Sequence, residues 1–376
     1  MKKKIFVYIL VVVISGILLW LWSGFASSGT EIFKHSVESA RAKILTVDKQ
    51  ESTDTGSFVS TVVICSAEIL NGDKKGEIVK VYQEHNSEVE NIKIVTPGDK
   101  VVIKNYPVAD LGTEWAVDNF LRTPALLILG FVFVFLIILL GRFKGLRTVI
   151  SLVYTCVAIF CVFIPTVLSG KNIYFCAILI CLFITAVTLL LVNGWDKKTF
   201  CAFLGCVGGV IAAALITVIF SYVMKFTGYT NENSYYLTML PNPVNLKAIA
   251  FSAVIIGAVG AVMDVAMSLS SALYELKEKV PGITFKSLVS SGLSIGRDMM
   301  GTMANTLVLA YIGGSVSSVL LLLTYADSAA DVFNREMIAY EILLASAGSI
   351  GIFLAIPVTA LVCGMVYIKQ SSINRG

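Results

Sequence analysis

The stretch Pro124-Ala-Leu-Leu-Ile-Leu-Gly-Phe-Val-Phe-Val-Phe-Leu-Ile-Ile-Leu-Leu-Gly141 carries no charge and no polar side chain in eighteen positions. As an α-helix it would be about 27 Å long, close to the roughly 30 Å thickness of a bilayer's hydrocarbon core. Six further segments repeat the pattern: 147–168, 172–193, 200–224, 247–270, 302–323 and 341–367. Each predicts a membrane-spanning helix. The whole chain agrees, since 56% of its 376 residues are hydrophobic and only 14% charged. Soluble chains are about a quarter charged, so a soluble single-core protein is excluded. A net charge of +4 is too mild for a nucleic-acid partner.

Upstream, the basic Met1–Lys4 precedes an apolar run from Ile5 to Trp22. It reads as a retained first helix with Trp20 and Trp22 as interfacial anchors. A signal peptide cut near Ala26-Ser27-Ser28 is the other reading. Either way the following segment is exported, which divides the chain into 1–26, 27–120 and 121–376. Residues 27–120 hold 10 Lys/Arg and 15 Asp/Glu. Val59–Ile64 is β-branched, and Gly76–Val81 alternates after the turn signal Asn71-Gly72-Asp73. Ile92–Val95 and Val101–Ile103 flank Pro97-Gly98-Asp99. Short strands between such turns predict a small extracytoplasmic β-rich domain, a barrel or sandwich.

The predicted class is therefore a polytopic α-helical membrane protein of about eight transmembrane helices. With the N-terminus inside, the internal loops and termini carry 14 Lys/Arg, against five on the opposite side including Arg122. The positive-inside rule then places both ends in the cytoplasm, at the cell membrane. Both histidines, His35 and His85, fall in the exported segment, which disfavours a His-based metal or proton-relay site within the membrane. One of eight cysteines, Cys65, is exported; the others lie in predicted spans. Cys156/Cys161, Cys176/Cys181 and Cys201/Cys206 are spaced by five, about 140° apart on a helix, so no pair shares a face as metal ligands would. No P-loop, GxSxG or HExxH occurs, and no catalytic residue, metal or cofactor is expected.

Asp264 is the most informative residue, lying deep in an apolar span. A carboxylate there costs several kcal/mol unless paired, protonated or solvated by a cavity. Helical spacing aligns it with Ser268, Ser271 and Glu275. One turn outward, Gly257, Gly260 and Ala261 form a small surface that admits another helix. Two readings stand: an ion or proton site, or a structural carboxylate bonding neighbouring helices.

A second constellation follows in Gly296-Arg-Asp-Met-Met-Gly-Thr-Met-Ala-Asn-Thr306. Asp298, Thr302 and Asn305 share one face, while Arg297 is about 100° away and within reach of Asp264 or Glu275 if the two helices pack. Gly301 and the adjacent Gly313 and Gly314 are either packing glycines or, at 313–314, an interruption of the span of the kind that exposes backbone to a substrate. Asp298 would otherwise sit at a helix N-terminus. Ser271–Asp298 reads as a cytoplasmic connection with a Pro281-Gly282 break and an amphipathic Phe285–Leu293 stretch, and Pro357 as a kink in the last span.

Gly257-Ala-Val-Gly-Ala-Val-Met-Asp-Val-Ala-Met-Ser-Leu-Ser-Ser-Ala-Leu-Tyr-Glu-Leu276, paired with Gly296-Arg-Asp-Met-Met-Gly-Thr-Met-Ala-Asn-Thr-Leu-Val-Leu-Ala-Tyr311, resembles the YibE/F-like family of bacterial membrane proteins. The resemblance extends over nearly the whole chain. It implies a multi-spanning architecture with a permease-like role, picks out Asp264, Glu275, Arg297, Asp298 and Asn305, and names no substrate.

Three function classes follow. The first is transport of a small solute or ion: Asp264 binds a cation or carries a proton, Ser268, Glu275, Asp298, Thr302 and Asn305 complete a polar pathway, and Arg297 gates it. The second is an envelope scaffold or sensor whose β domain binds a ligand or partner. Intramembrane aspartyl proteolysis by Asp264 and Asp298 is disfavoured, because Gly-Ala-Val-Met-Asp is not the Gly-x-Gly-Asp pattern such enzymes use. The expected partners are the lipid bilayer and either another protein or a second copy of the chain.

Overall fold

The computed structural model describes residues 2–26, 37–54, 59–86, 93–108, 113–231, 233–240 and 243–373. The expected cleavage signal at Ser27 and Ser28, His35 and Ile92 lie outside them. The chain divides into a unit spanning Glu31–Leu136 and a helical unit made of Met1–Thr30 with Ile137–Gly376.

The first unit is a closed five-stranded barrel of β1 (Ser39–Asp54), β2 (Val59–Ile69), β3 (Ile78–Asn86), β4 (Lys100–Val108) and β5 (Thr113–Phe120), ordered β1-β2-β3-β5-β4. All pairs are antiparallel except β3 with β5, the connectivity of a small Greek-key barrel. Alternation puts Val63, Cys65, Ala67 and Ile69 of β2 inward against Ile44, Val81, Val101, Ile103 and Trp115. Closure removes the exposed edges that would template aggregation. Both expected turns form, with Gly72, Gly76 and Gly98 at positive φ.

The stretch expected as a strand at Ile92–Val95 is irregular over its described part, 93–95. Its backbone is held by a side chain instead: Gln83 donates to the Lys93 carbonyl (3.2 Å) and accepts from the Val95 amide (3.0 Å). Conversely, β1 and β5 were not expected from sequence, and β1 is the longest strand.

In the helical unit α1 (Lys2–Ala26) packs as the other helices do. Tyr154 donates to the Val12 carbonyl (2.7 Å), and the Arg147 guanidinium lies 3.8 Å from the Tyr8 ring centroid. The second helix, α2 (Thr123–Val157), begins in the first unit, enters the helical one at Ile137 and breaks at Arg142 (φ 48°, ψ −127°). The backbone reverses so sharply there that a Cβ on Gly145 would overlap the Ile137 carbonyl. A π-helical stretch, Ala158–Phe163, then leads into α3 (Ile164–Leu168). The remaining elements are α4 (Ile173–Asn193), α5 (Lys197–Val223), α6 (Asn233–Thr238), α7 (Leu246–Lys279), α8 (Phe285–Tyr325), α9 (Ala329–Asn334) and α10 (Glu336–Ile373). Asn172, Asn245 and Thr284 cap α4, α7 and α8 by accepting the amide three residues on. Among the described residues six helices are long and apolar enough to cross a membrane, the broken Thr123–Leu168 counting as one.

The connection expected at Ser271–Asp298 shrinks to 280–284, around the Pro281-Gly282 break with Gly282 at φ 86°. Both flanking helices run on beyond their apolar stretches. Asp298 is thus about three and a half turns inside α8, not at its N-terminus. Nor do Gly313 and Gly314 interrupt α8, which is helical throughout, and α10 continues past Pro357.

α7 is the central helix, with 61% of its apolar stretch buried against 6% for α8. Close approach depends on small residues. A Cβ on Gly205 would overlap the Thr359 hydroxyl, and one on Gly209 would lie 2.6 Å from the Gly351 carbonyl oxygen, so α5 and α10 nearly touch backbone to backbone. Gly292 and Gly296 seat α8 against Ala360 and Ile356 in the same way. By contrast a Cβ at Gly260, Gly301, Gly313 or Gly314 would meet nothing within 4 Å. Of the five glycines expected to pack, only Gly257 meets a neighbouring helix.

Candidate functional site

The site is a stripe along α7. Ala253, Gly257, Gly260, Asp264, Ser268 and Glu275 are exposed and Ser271 is half-buried, on a helix whose other faces are buried. Steps of three and four residues keep all of them on one side. From Gly257, inside the apolar stretch, to Glu275, beyond it, the stripe runs about 27 Å. Asp264 makes no hydrogen bond or ion pair among the described residues. At the end opposite Glu275, the Tyr311 hydroxyl of α8 lies 2.5 Å from where a Cβ on Gly257 would stand, buried and without a hydrogen-bond partner. The stripe therefore has a carboxylate at one end, one near its middle, and an unspent hydroxyl at the other.

The polar residues of α8 are arranged differently. Asp298, Thr302 and Asn305 do share a face, and all are exposed. They lie roughly 180° around α8 from Gly296, which packs on α10, so they point away from the bundle. Thr302 spends its hydroxyl on the Met299 carbonyl (3.0 Å). Arg297 is exposed and pairs with neither Asp264 nor Glu275; among the described residues it forms no ion pair. The predicted residues thus form two stripes on two helices.

Sequence reasoning missed Tyr311, whose role depends on which helix covers Gly257. It also missed Glu336, which accepts from the amides of Thr227 (2.8 Å), Gly228 (2.6 Å) and Tyr229 (3.1 Å) and from the Thr227 hydroxyl (2.6 Å). That carboxylate ties the start of α10 to the chain leaving α5. At the opposite ends of these helices Ser270 bridges the Lys198 carbonyl (2.8 Å) and the Tyr367 hydroxyl (2.7 Å). The cysteines divide by exposure: Cys156 and Cys161 are exposed and the rest buried, and no cluster suited to a metal occurs among the described residues.

Long apolar helices closely packed through glycines, together with a small β-barrel, define a polytopic membrane protein. The chain belongs to the YibE/F-like family, whose model matches residues 129–369. The match covers the helices and leaves α1 and the barrel outside, a narrower extent than the near-whole-chain resemblance expected from sequence. Comparison with curated proteins and with solved structures gave no match.

Proposed function

We propose that this protein is a permease in which the α7 stripe carries a proton or small cation. The observation behind this reading is the length and continuity of the stripe. Carboxylates and hydroxyls from Glu275, beyond the apolar stretch, through Ser271, Ser268 and Asp264 to Tyr311 follow one side of an otherwise buried helix for about 27 Å. Asp264 is the binding group and Glu275 the entrance on the cytoplasmic side. The break at Arg142 makes two spans of Thr123–Leu168, and α1 adds another, giving eight with both termini cytoplasmic and the barrel outside. The family match supports placing the shared activity in the helices rather than in the barrel.

The outward face of α8 is the contact with a second copy. Arg297 and Asp298 differ in height by only about 1.5 Å, so in a two-fold pair each can meet the other's opposite charge. Left facing lipid, Asn305 would keep its side-chain amide without a partner.

Proteoliposomes loaded with a pH-sensitive dye and polarised by a potassium gradient test the transport reading. Asp264→Asn is expected to lower proton flux at least roughly tenfold, which corresponds to about 1.4 kcal/mol of barrier. Flux equal to that of the native protein would remove Asp264 from the mechanism.

A further inference from the structure

Gly194, Trp195 and Asp196 alone join α4 to α5, so these ends of two consecutive apolar helices meet at a membrane surface. There the helices part around a cleft of about 670 Å³ whose walls include Leu189, Leu190, Phe200 and Phe203. That is within the usual range of small-molecule sites. Asp196 and Lys197 stand at its mouth, and Thr199 also lines it.

Three polar features of the cleft are unsatisfied within the chain. Thr199 is only 4% exposed, yet its hydroxyl has no hydrogen-bond partner. Buried threonines elsewhere in the bundle (Thr185, Thr217, Thr359) donate to the carbonyl four residues back. Thr199 is too close to the start of α5 for that, because its fourth preceding residue, Trp195, lies outside the helix. Next, Asp196 occupies the N-cap position but makes no capping bond, so the first amides of α5 remain open. Finally, Asp196 and Lys197 are exposed and form no ion pair among the described residues, whereas the Lys198 ammonium is engaged 4.5 Å above the Tyr274 ring.

We infer that this cleft is a binding site for a phospholipid with a zwitterionic, primary-ammonium head group. One acyl chain lies along the apolar walls. The phosphate sits on the open amides of α5 and on Lys197, where the helix dipole and the ammonium both favour an anion. The head-group ammonium donates to the Asp196 carboxylate, and the Thr199 hydroxyl donates to an ester oxygen. A purely anionic lipid leaves Asp196 opposed to like charge, and free phosphate gains nothing from the apolar walls. The site is separate from the α7 stripe and does not depend on transport.

Native mass spectrometry of the delipidated full chain in mild detergent tests this with three probes: phosphatidylethanolamine, phosphatidylglycerol, and glycerophosphoethanolamine, the head group without chains. Phosphatidylethanolamine is expected to occupy the native protein at least roughly fivefold more than phosphatidylglycerol, and the chainless head group not at all. Ala186→Phe, which fills the cleft, and Asp196→Asn, an exposed change that preserves shape, should each lower phosphatidylethanolamine occupancy by a similar factor. Thermal unfolding without lipid verifies that both variants fold. Equal occupancy by the two lipids, or occupancy unchanged in Asp196→Asn, overturns the head-group assignment. Occupancy unchanged in Ala186→Phe overturns the site.

Discussion

The Tyr311 hydroxyl rests over Gly257, 2.5 Å from the position a Cβ would take, and has no hydrogen-bond partner. One residue thus supplies the space and the other a desolvated polar atom. Gly257→Ala should destabilise the protein by about 1–3 kcal/mol through overpacking. Tyr311→Phe should leave the melting temperature unchanged or raise it, since the lost hydroxyl bonds nothing, and should restore Gly257→Ala in the double variant. Thermal unfolding in detergent reads all three. A Tyr311→Phe protein as unstable as Gly257→Ala would show that the hydroxyl has a partner after all.

Glu336 is a second sharply testable residue. Its carboxylate accepts three amides and one hydroxyl, all from Thr227, Gly228 and Tyr229. Replacing it by alanine should cost about 2–3 kcal/mol, because charge-assisted bonds are lost and the amides are left open. Hydrogen exchange at 226–229 should rise in the same variant. Unaltered exchange there would contradict the clasp.

In the barrel, Asp99 receives the Thr96 amide (2.9 Å) and hydroxyl (2.8 Å), with Lys93 3.6 Å away. The Thr96 amide is the main influence holding its carboxyl below the ordinary carboxylate range. Asp48 is lowered as well, first by the Ser66 hydroxyl and then by that of Thr46. A folded pKa below the unfolded one, about 3.9 for Asp, gives stability that is complete above that value and lost as pH falls through the folded one. Barrel melting, followed by Trp115 fluorescence with the other tryptophans replaced by phenylalanine, should therefore be level near pH 7 and decline below about pH 4. Asp99→Asn should melt lower at neutral pH and decline less with acid. An unchanged acid limb in both Asp99→Asn and Asp48→Asn would refute this assignment.

The outward face of α8 can be probed by cross-linking. In a chain with its eight native cysteines replaced, Asn305→Cys should form a dimer on mild oxidation, because a disulfide needs Cα atoms within about 7 Å. The buried Leu344→Cys should not. Monomer from both variants would count against a two-fold contact through α8.

The sequence made some of this legible for clear reasons. Apolar runs identify spans because hydrocarbon tolerates little else, and the Asn71–Asp73 and Pro97–Asp99 turns form where glycine is needed at positive φ. The alignment of Asp264, Ser268 and Glu275 follows from helical period alone. Strand β1 escaped because register shifts between Ile44 and Thr46 and between Val47 and Lys49 break its alternation. The charges from Glu275 to Asp298 suggested a loop, yet a helix is free to continue beyond the apolar layer, and α7 and α8 both do. Period also fixes which residues share a face without saying what that face meets. Asp298 consequently came out on the far side of α8, and Tyr311 went unnoticed.

The fastenings of α5 and α10 bear on movement. Glu336 holds these helices together at one end, the Ser270–Tyr367 bridge at the other, and Gly205, Gly209 and Gly351 lock them between. A pillar bolted at both ends does not rock. A cycle that opened the protein first to one side and then to the other would have to leave this pillar standing and shift a helix outside it, such as α8, only 6% of whose apolar stretch is buried.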